Sequence, residues 1–157
     1  MNKKPIRGGE SLDSPEIQIL PRFHAQRRVE FRDTDAAGIV HFSAFFPMME
    51  SVEHEFLRSI GITIMPDHDD INGLTWPRIS VGCDFLGPAR FEDVLDFAVF
   101  IDRVGSSSVS YRFEISCQGT PVAKGNMVAV CCRLAAGGKL TKASIPDDLR
   151  NQLLPPV

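Results

Sequence analysis

The 157-residue sequence predicts an α+β domain in which one antiparallel sheet packs against a single long helix. Apolar residues first alternate with polar ones, then recur every three or four positions after Gly38, and finally fill four β-branched stretches. Connections as short as Gly87-Pro88 and Gly105-Ser106 separate these stretches, and such short links join antiparallel neighbours. The order strand, helix, four strands therefore favours a curled sheet that buries one helix face.

The first strand is predicted at Phe23–Phe31, where apolar and polar side chains alternate and only Arg27 interrupts the apolar side. Residues 1–20 precede it and contain glycine, serine and proline but few large apolar groups. We expect them to form a flexible N-terminal extension. A single domain should then span residues 21–157.

A long amphipathic helix is predicted from Ser43, its expected N-cap, to Gly61, its expected stop. Its buried stripe should comprise Phe45, Met48, Met49, Val52, Phe56, Leu57 and Ile60. Its solvent-facing side should comprise Glu50, Ser51, Glu53, Glu55 and Arg58.

The remaining chain predicts four strands and a short final helix. The strands are expected at Leu74–Phe85, Val94–Val104, Ser107–Cys117 and Val122–Arg133. Pro146, Asp147 and Asp148 can open a helix that runs from Asp147 to Leu153.

Composition argues against several classes of protein. Seventeen Lys and Arg residues are scattered along the chain and are outnumbered by 20 Asp and Glu, which argues against a nucleic-acid-binding protein. Apolar runs are too short to span a membrane and no signal-peptide core follows the N-terminus, so we expect a cytoplasmic protein. Buried free thiols are expected at the four cysteines, which lack metal-site spacing: Cys83, Cys117, Cys131 and Cys132.

Residues 31–42, which read F-R-D-T-D-A-A-G-I-V-H-F, carry the clearest chemical signal. They place two carboxylates, Asp33 and Asp35, just before the start of the long helix. The unpaired N–H groups of a helix start can stabilise an oxyanion or polarise a carbonyl, and a nearby carboxylate can act as base or nucleophile. On local chemistry alone, the favoured interpretation is that both aspartates only end a strand and form turns.

Metal sites are poorly supported. A calcium loop beginning at Asp33 would need ligands where Ala37 and Ala44 stand. A zinc-protease motif beginning at His54 ends in Arg58 instead of histidine. The acidic run at residues 67–70 is expected to be a solvated loop, so we predict neither metal nor cofactor.

The twelve-residue segment, followed by Ser43-Ala44-Phe45-Phe46, resembles the signature of the 4-hydroxybenzoyl-CoA thioesterase-like family, which includes YbgC-type and dihydroxynaphthoyl-CoA thioesterases. The resemblance extends over residues 22–150. It implies a hotdog fold, in which a sheet of about five strands wraps around the helix, and acyl-CoA thioesterase activity. It also implies dimers or tetramers with active sites between subunits.

The resemblance assigns the catalytic carboxylate to Asp35 and leaves Asp33 as a structural neighbour. The carbonyl-polarising group becomes the backbone N–H of Phe42, and His41 is a weaker candidate because some members carry histidine one position later. Substrate contacts are expected from the loop residues Gly38, Ile39 and Val40. The acyl group is expected to contact Phe42, Phe45, Phe46 and Trp76.

One departure from the family concerns CoA binding. Aromatic-acyl members contact the nucleotide phosphates with basic residues between the third and fourth strands, where this chain has Gly105, Ser106 and Ser107. CoA must therefore dock differently, and acyl carrier protein is an alternative donor. Two other functions stay open: a non-hydrolytic acyl-thioester-binding protein, and a dehydratase or hydratase that pairs His41 with a carboxylate.

Overall fold

The computed structural model describes residues 20–64, 73–135 and 137–154. Except for Leu20, the predicted N-terminal extension lies outside the described residues, and so does the acidic run at 67–70.

The main sheet has five antiparallel strands in the order β1-β4-β5-β6-β3. Its strands are β1 (Phe23–Arg28), β3 (Arg78–Phe85), β4 (Val94–Val104), β5 (Ser108–Cys117) and β6 (Thr120–Val130). A second, three-stranded sheet has the order β2-β7-β8 and consists of β2 (Leu74–Thr75), β7 (Cys132–Leu134) and β8 (Leu140–Lys142). The five-stranded antiparallel sheet with its long helix is the hotdog fold, as predicted.

Helix α1 (Phe45–Ser59) packs its predicted apolar stripe against the sheet, with Ile60 partly buried beyond its end. Gly125 of β6 lies directly beneath it, because a Cβ atom added there would come within 2.0 Å of Met49 Sδ. Helix α2 (Asp147–Leu153) has its predicted bounds and buries Leu153 against the same core.

The predicted start of helix α1 is wrong, whereas its predicted end is confirmed. Ser43 as N-cap is wrong: a 3₁₀ turn at Phe42–Ala44 precedes α1, and His41 caps this turn by accepting the Ser43 N–H at 3.3 Å. At the C-terminus Gly61 is confirmed as the stop. Its positive φ of 76° lets Ile62 N–H bond to Leu57 O at 2.9 Å, which satisfies an orphan carbonyl.

Four predicted strands have different bounds, although β5 differs only by starting at Ser108 instead of Ser107. β1 ends at Arg28, and Phe31 is exposed in a 3₁₀ turn instead of buried in the strand. The predicted strand Leu74–Phe85 is divided at Trp76-Pro77, because proline offers no N–H to a ladder. The predicted strand Val122–Arg133 starts earlier, at Thr120, and is interrupted after Val130, where the chain passes to the second sheet.

The predicted solvent-facing side of α1 is wrong at Glu53, because the Glu53 side chain is fully buried. Its carboxylate forms a close ion pair with Arg78 of β3, and the side chain of Tyr111 of β5 is buried in the same core. Arg78 also lies 3.5 Å from Glu50 Oε1 and 2.7 Å from His54 Nε2. Burial raises the pKa of Glu53, and the Arg78 charge opposes that rise.

All four cysteines are free thiols, as expected. Cys131 and Cys132 are buried, whereas Cys83 and Cys117 are only half-buried, which corrects the expectation of full burial. Partial burial beside Asp84 raises the pKa of Cys83 to about 11, so this thiol stays protonated and unreactive at neutral pH. Among the described residues, no helix has both the length and the apolar character needed to cross a membrane.

Candidate active site

A tight hairpin holds the segment that joins β1 to α1. Thr34 and Val40 face each other across it, Asp35 N–H donates to Ile39 O, and Gly38 N–H donates to Asp35 O, both at 2.9 Å. Gly38 has a φ of 73°, which glycine adopts without strain. The loop between Asp35 and Ile39 therefore has only three residues and a fixed shape.

The same segment is attached to its surroundings by backbone hydrogen bonds. Val40 N–H donates to Ala89 O and His41 N–H donates to Asp33 O, each at 2.8 Å. These bonds hold the segment between the 3₁₀ turn at Phe31–Asp33 and the chain that follows β3. The positions of Asp35 and of the helix start are thus fixed relative to each other.

The two aspartates of the segment have different surroundings. Asp33 Oδ2 accepts the Glu30 N–H at 2.8 Å, which stabilises the turn before the hairpin. Asp35 Oδ1 accepts the Ala37 N–H at 2.8 Å, whereas no described residue donates a hydrogen bond to Asp35 Oδ2. Asp35 consequently has a fixed carboxylate with one oxygen available to a ligand.

Phe42 occupies the first position of the 3₁₀ turn that leads into α1. Its backbone N–H has no hydrogen-bond acceptor among the described residues, as expected for the first amide of a helical turn. His41, next to it, lies with its ring centroid 4.4 Å from that of Phe42. His41 Nδ1 is 2.7 Å from Ser43 Oγ, so this nitrogen already has a partner within the turn.

A cleft of about 420 Å³ brings Asp35 together with the start of the helix. It is lined by Asp35, Ile39, Val40, Phe42, Phe45, Phe85, Leu86, Gly87, Pro88 and Ala89. Its walls are mainly apolar, with Asp35 as the one carboxylate among these described lining residues. Such a cleft suits a ligand with an apolar group next to a polarised carbonyl.

Five of the predicted site residues share this cleft and four do not line it. The five are Asp35, Ile39, Val40, Phe42 and Phe45. Gly38 shapes the adjacent turn, and His41 is bonded to Ser43. Phe46 is partly buried against the core, and Trp76 is only 2% exposed. The functional roles of all nine stay predictions.

The opposite wall of the cleft, residues 85–89, was not predicted from sequence as part of the site. Phe85 ends β3 and its ring centroid lies 5.5 Å from that of Phe45, while Leu86 is about half exposed. A Gly-Pro pair directly after a strand was the available signal, since it forces the chain to turn away from the sheet. Only the bond from Val40 N–H to Ala89 O shows that this turn faces the hairpin.

Comparison with known proteins is consistent with this geometry. The model of the thioesterase-like superfamily matches residues 29–153, which include the hairpin, the central helix and the whole main sheet after β1. The chain therefore belongs to the thioesterase-like superfamily, and by class it is a thioester hydrolase.

Individual relatives are similar over most of their length. A 1,4-dihydroxy-2-naphthoyl-CoA hydrolase of Prochlorococcus marinus (strain MIT 9303) is 31% identical over 67% of this chain and 71% of its own. The crystal structure of a 1,4-dihydroxy-2-naphthoyl-CoA thioesterase from Synechocystis matches with a TM-score of 0.73 and 25% identity, over 83% of this chain and 94% of that one. A gentisyl-coenzyme A thioesterase structure matches with a TM-score of 0.72 and 27% identity, over 82% and 99%.

Proposed function

We propose that this protein hydrolyses the thioester of an acyl-CoA to the free acid and CoA, with Asp35 as nucleophile or general base. The observation that carries the proposal is the shared cleft, in which the Asp35 carboxylate and the Phe42 N–H both lack a full set of partners among the described residues. Attack on the thioester carbon moves negative charge onto the carbonyl oxygen. The Phe42 N–H and the start of α1 would stabilise that charge.

The acyl group is proposed to be aromatic or short. Three phenylalanine rings, those of Phe42, Phe45 and Phe85, contribute to the cleft walls and offer flat apolar contacts. The names of the relatives point in the same direction, because they specify naphthoyl and gentisyl thioesters. A volume of about 420 Å³ falls within the usual range for sites that bind small molecules.

Thiol release tests the proposal directly. The purified protein would be mixed with benzoyl-CoA, 1,4-dihydroxy-2-naphthoyl-CoA, butyryl-CoA and palmitoyl-CoA, and free CoA thiol would be titrated over time. We expect the largest kcat/KM with the aromatic and short-chain substrates. Absence of thiol release from every substrate would contradict the proposal. Hydration of crotonyl-CoA without thiol release would instead identify a hydratase.

The quaternary structure is proposed to be a homodimer formed through β3, or a homotetramer made of two such dimers. β3 is an edge strand of the main sheet, and its Ile79 and Val81 side chains are 67% and 48% exposed. An apolar edge strand is a template for pairing with a second copy. Because β3 ends at Phe85, this pairing would place the partner beside the cleft.

Light scattering after size-exclusion chromatography tests this assembly. The wild-type chain should elute with at least twice the 17.4 kDa protomer mass, and Val81→Lys should shift it towards the monomer. Gln26→Lys, on the opposite edge strand β1, is the matched control and should leave the mass unchanged. A wild-type monomer at micromolar concentration would contradict the proposed dimer.

A further inference from the structure

A second cleft of about 420 Å³ lies beside the first and is lined by three arginines. Its lining consists of Arg27, Arg28, Glu30, Arg32, Asp33, Ala44, Pro47, Met48 and Ser51. None of these residues lines the cleft that contains Asp35. The hairpin segment separates the two, since Asp33 and Ala44 belong to one cleft and Asp35 and Phe45 to the other.

The three arginines of this cleft differ in how many hydrogen bonds and ion pairs they make within the protein. Arg27 is occupied, because it donates to Ser51 Oγ at 3.0 Å and pairs with Glu55 at 2.8 Å. Arg28 makes one long hydrogen bond, 3.3 Å, to Glu92 O. Arg32 is 86% exposed and lies 4.0 Å from Asp33, the limit for an ion pair. Arg28 and Arg32 therefore keep N–H groups available for a ligand.

The lining also contains two carboxylates, Glu30 and Asp33, and each accepts a backbone N–H of the same turn. Asp33 directs Oδ2 at the Glu30 N–H within its own turn. Since Arg27 is paired with Glu55, Arg28 and Arg32 are matched in number by these two acids, and what they offer a ligand is guanidinium N–H groups and not an excess of positive charge. Ala44, Pro47 and Met48 contribute apolar groups to the same lining. Guanidinium groups beside apolar groups are suited to a phosphorylated ligand with a flat ring.

From this arrangement we infer that Arg28 and Arg32 bind the phosphates of the CoA nucleotide, an inference that rests on the proposed acyl-CoA hydrolysis. At the turn after β4, where the family members it resembles contact the phosphates with basic residues, this chain has Gly105, Ser106 and Ser107, and the backbone carbonyls of the turn are already bonded within the chain. There Arg150 donates to Val104 O at 3.2 Å and to Gly105 O at 2.6 Å. The arginine cleft lies on the other side of the same hairpin segment from the Asp35 cleft, and its Arg28 and Arg32 have N–H groups to offer the phosphates.

This assignment also selects the donor. Acyl carrier protein presents its acyl group on phosphopantetheine and lacks the 3′-phosphorylated adenosine of CoA. A site that binds the nucleotide phosphates therefore favours acyl-CoA over acyl carrier protein. Its contribution should decrease as salt rises, because Arg28 and Arg32 are exposed.

The test compares benzoyl-CoA with benzoyl-pantetheine, which has the same thioester without the nucleotide. Arg28→Ala and Arg32→Ala should each raise KM for benzoyl-CoA by about five- to tenfold, as expected for loss of a charge-assisted contact. They should leave kcat, and both constants for benzoyl-pantetheine, at the wild-type values. Benzoyl-3′-dephospho-CoA and the wild-type enzyme test the same contact without any mutation, and KM should rise with this substrate.

Arg103→Ala is the matched control, since Arg103 is an exposed arginine at the other end of β4. Arg28 pairs with Val94, and the stretch of β4 from Val94 to Arg103 spans roughly 30 Å at about 3.3 Å per residue. Arg103→Ala should behave as wild type with all three substrates. A CoA-selective loss in Arg103→Ala instead would place the nucleotide at the β4–β5 end and overturn the inference.

Other outcomes separate this inference from the proposed function. If the wild-type enzyme releases thiol from neither benzoyl-CoA nor benzoyl-pantetheine, the proposed function fails. If it hydrolyses benzoyl-CoA and the two arginine variants match it, or lose both substrates equally, only the phosphate assignment fails. If the two arginine variants lost activity only with benzoyl-acyl carrier protein as the substrate, the assignment would be overturned in favour of a protein donor.

Discussion

Two carboxylates near helix α1, those of Asp35 and Glu53, show how differently the fold uses the same functional group. Asp35 lies in a fixed hairpin, lines an open cleft and keeps one oxygen without a donor in the described part of the chain. Glu53 is fully buried and is paired with Arg78. The comparison teaches that access to a ligand, and not burial alone, distinguishes a candidate catalytic carboxylate from a structural one.

The largest expected effect tests the catalytic side of this comparison. Asp35→Asn should lower kcat for benzoyl-CoA by roughly 10²- to 10⁴-fold, because the amide is neither a base nor a nucleophile. Its stability should stay within about 0.5 kcal/mol of wild type, since the amide oxygen can still accept the Ala37 N–H.

Asp33→Asn is the matched control for this variant, two residues away in the same segment. The amide can still accept the Glu30 N–H, so kcat should remain near the wild-type value. Steady-state kinetics on both variants, with circular dichroism to verify folding, make the comparison. Equal loss in the two variants would remove the distinction between a catalytic and a structural aspartate.

The second prediction tests the structural role of Glu53. Arg78→Met removes the cation paired with Glu53 and should lower the free energy of unfolding by about 3 kcal/mol, because a buried carboxylate loses its partner. The folded fraction should retain its kcat, since neither residue lines the Asp35 cleft. Urea denaturation measures the change, with exposed Arg103→Met as control. A variant as stable as wild type would show that the ion pair contributes nothing.

A smaller effect concerns pH. Burial raises the folded-state pKa of Glu53 above its ordinary value of 4.5, so the folded state binds the proton more tightly than the unfolded state. The stability contributed by this group is therefore fully present below pH 4.5 and is lost as pH rises through the folded-state pKa. Relative to Glu53→Gln, the wild-type protein should lose stability over that window.

Urea unfolding between about pH 4 and pH 8 measures this difference. Glu55→Gln provides the control, because Glu55 is half exposed and pairs with Arg27 at the surface. Its stability difference from wild type should change little with pH. A wild-type protein that gains stability over Glu53→Gln as pH rises would show that Arg78 outweighs burial at this site.

The sequence predicts the elements of the fold better than the fate of single polar residues. The period of α1 correctly identifies its apolar stripe, and Pro146 with two aspartates correctly identifies α2. Glu53 is wrongly assigned to the solvent face, because periodicity counts every glutamate as polar. Its burial depends on Arg78, which lies 25 positions away and meets it only in the folded sheet.

Only one wall of the candidate site, the segment that contains Asp35, is predicted from the sequence. The segment with Asp35 is local in sequence, so the resemblance identifies it as the candidate site, although its hairpin shape was not predicted and is seen only in the structure. The facing wall at Phe85–Ala89 lies some fifty positions later, and only the fold brings it to the hairpin. Trp76 was expected in the acyl pocket as an aromatic at a strand start, yet it lies in the core away from the cleft lining.

The most direct test is a crystal structure of Asp35→Asn with benzoyl-CoA, whose slow turnover should preserve the thioester. The account predicts the thioester carbonyl oxygen at about 2.7–3.1 Å from the Phe42 nitrogen, a hydrogen-bond distance, with the substituted side chain at position 35 beside the carbonyl carbon. A thioester bound elsewhere, with its carbonyl remote from both Phe42 and position 35, would contradict it.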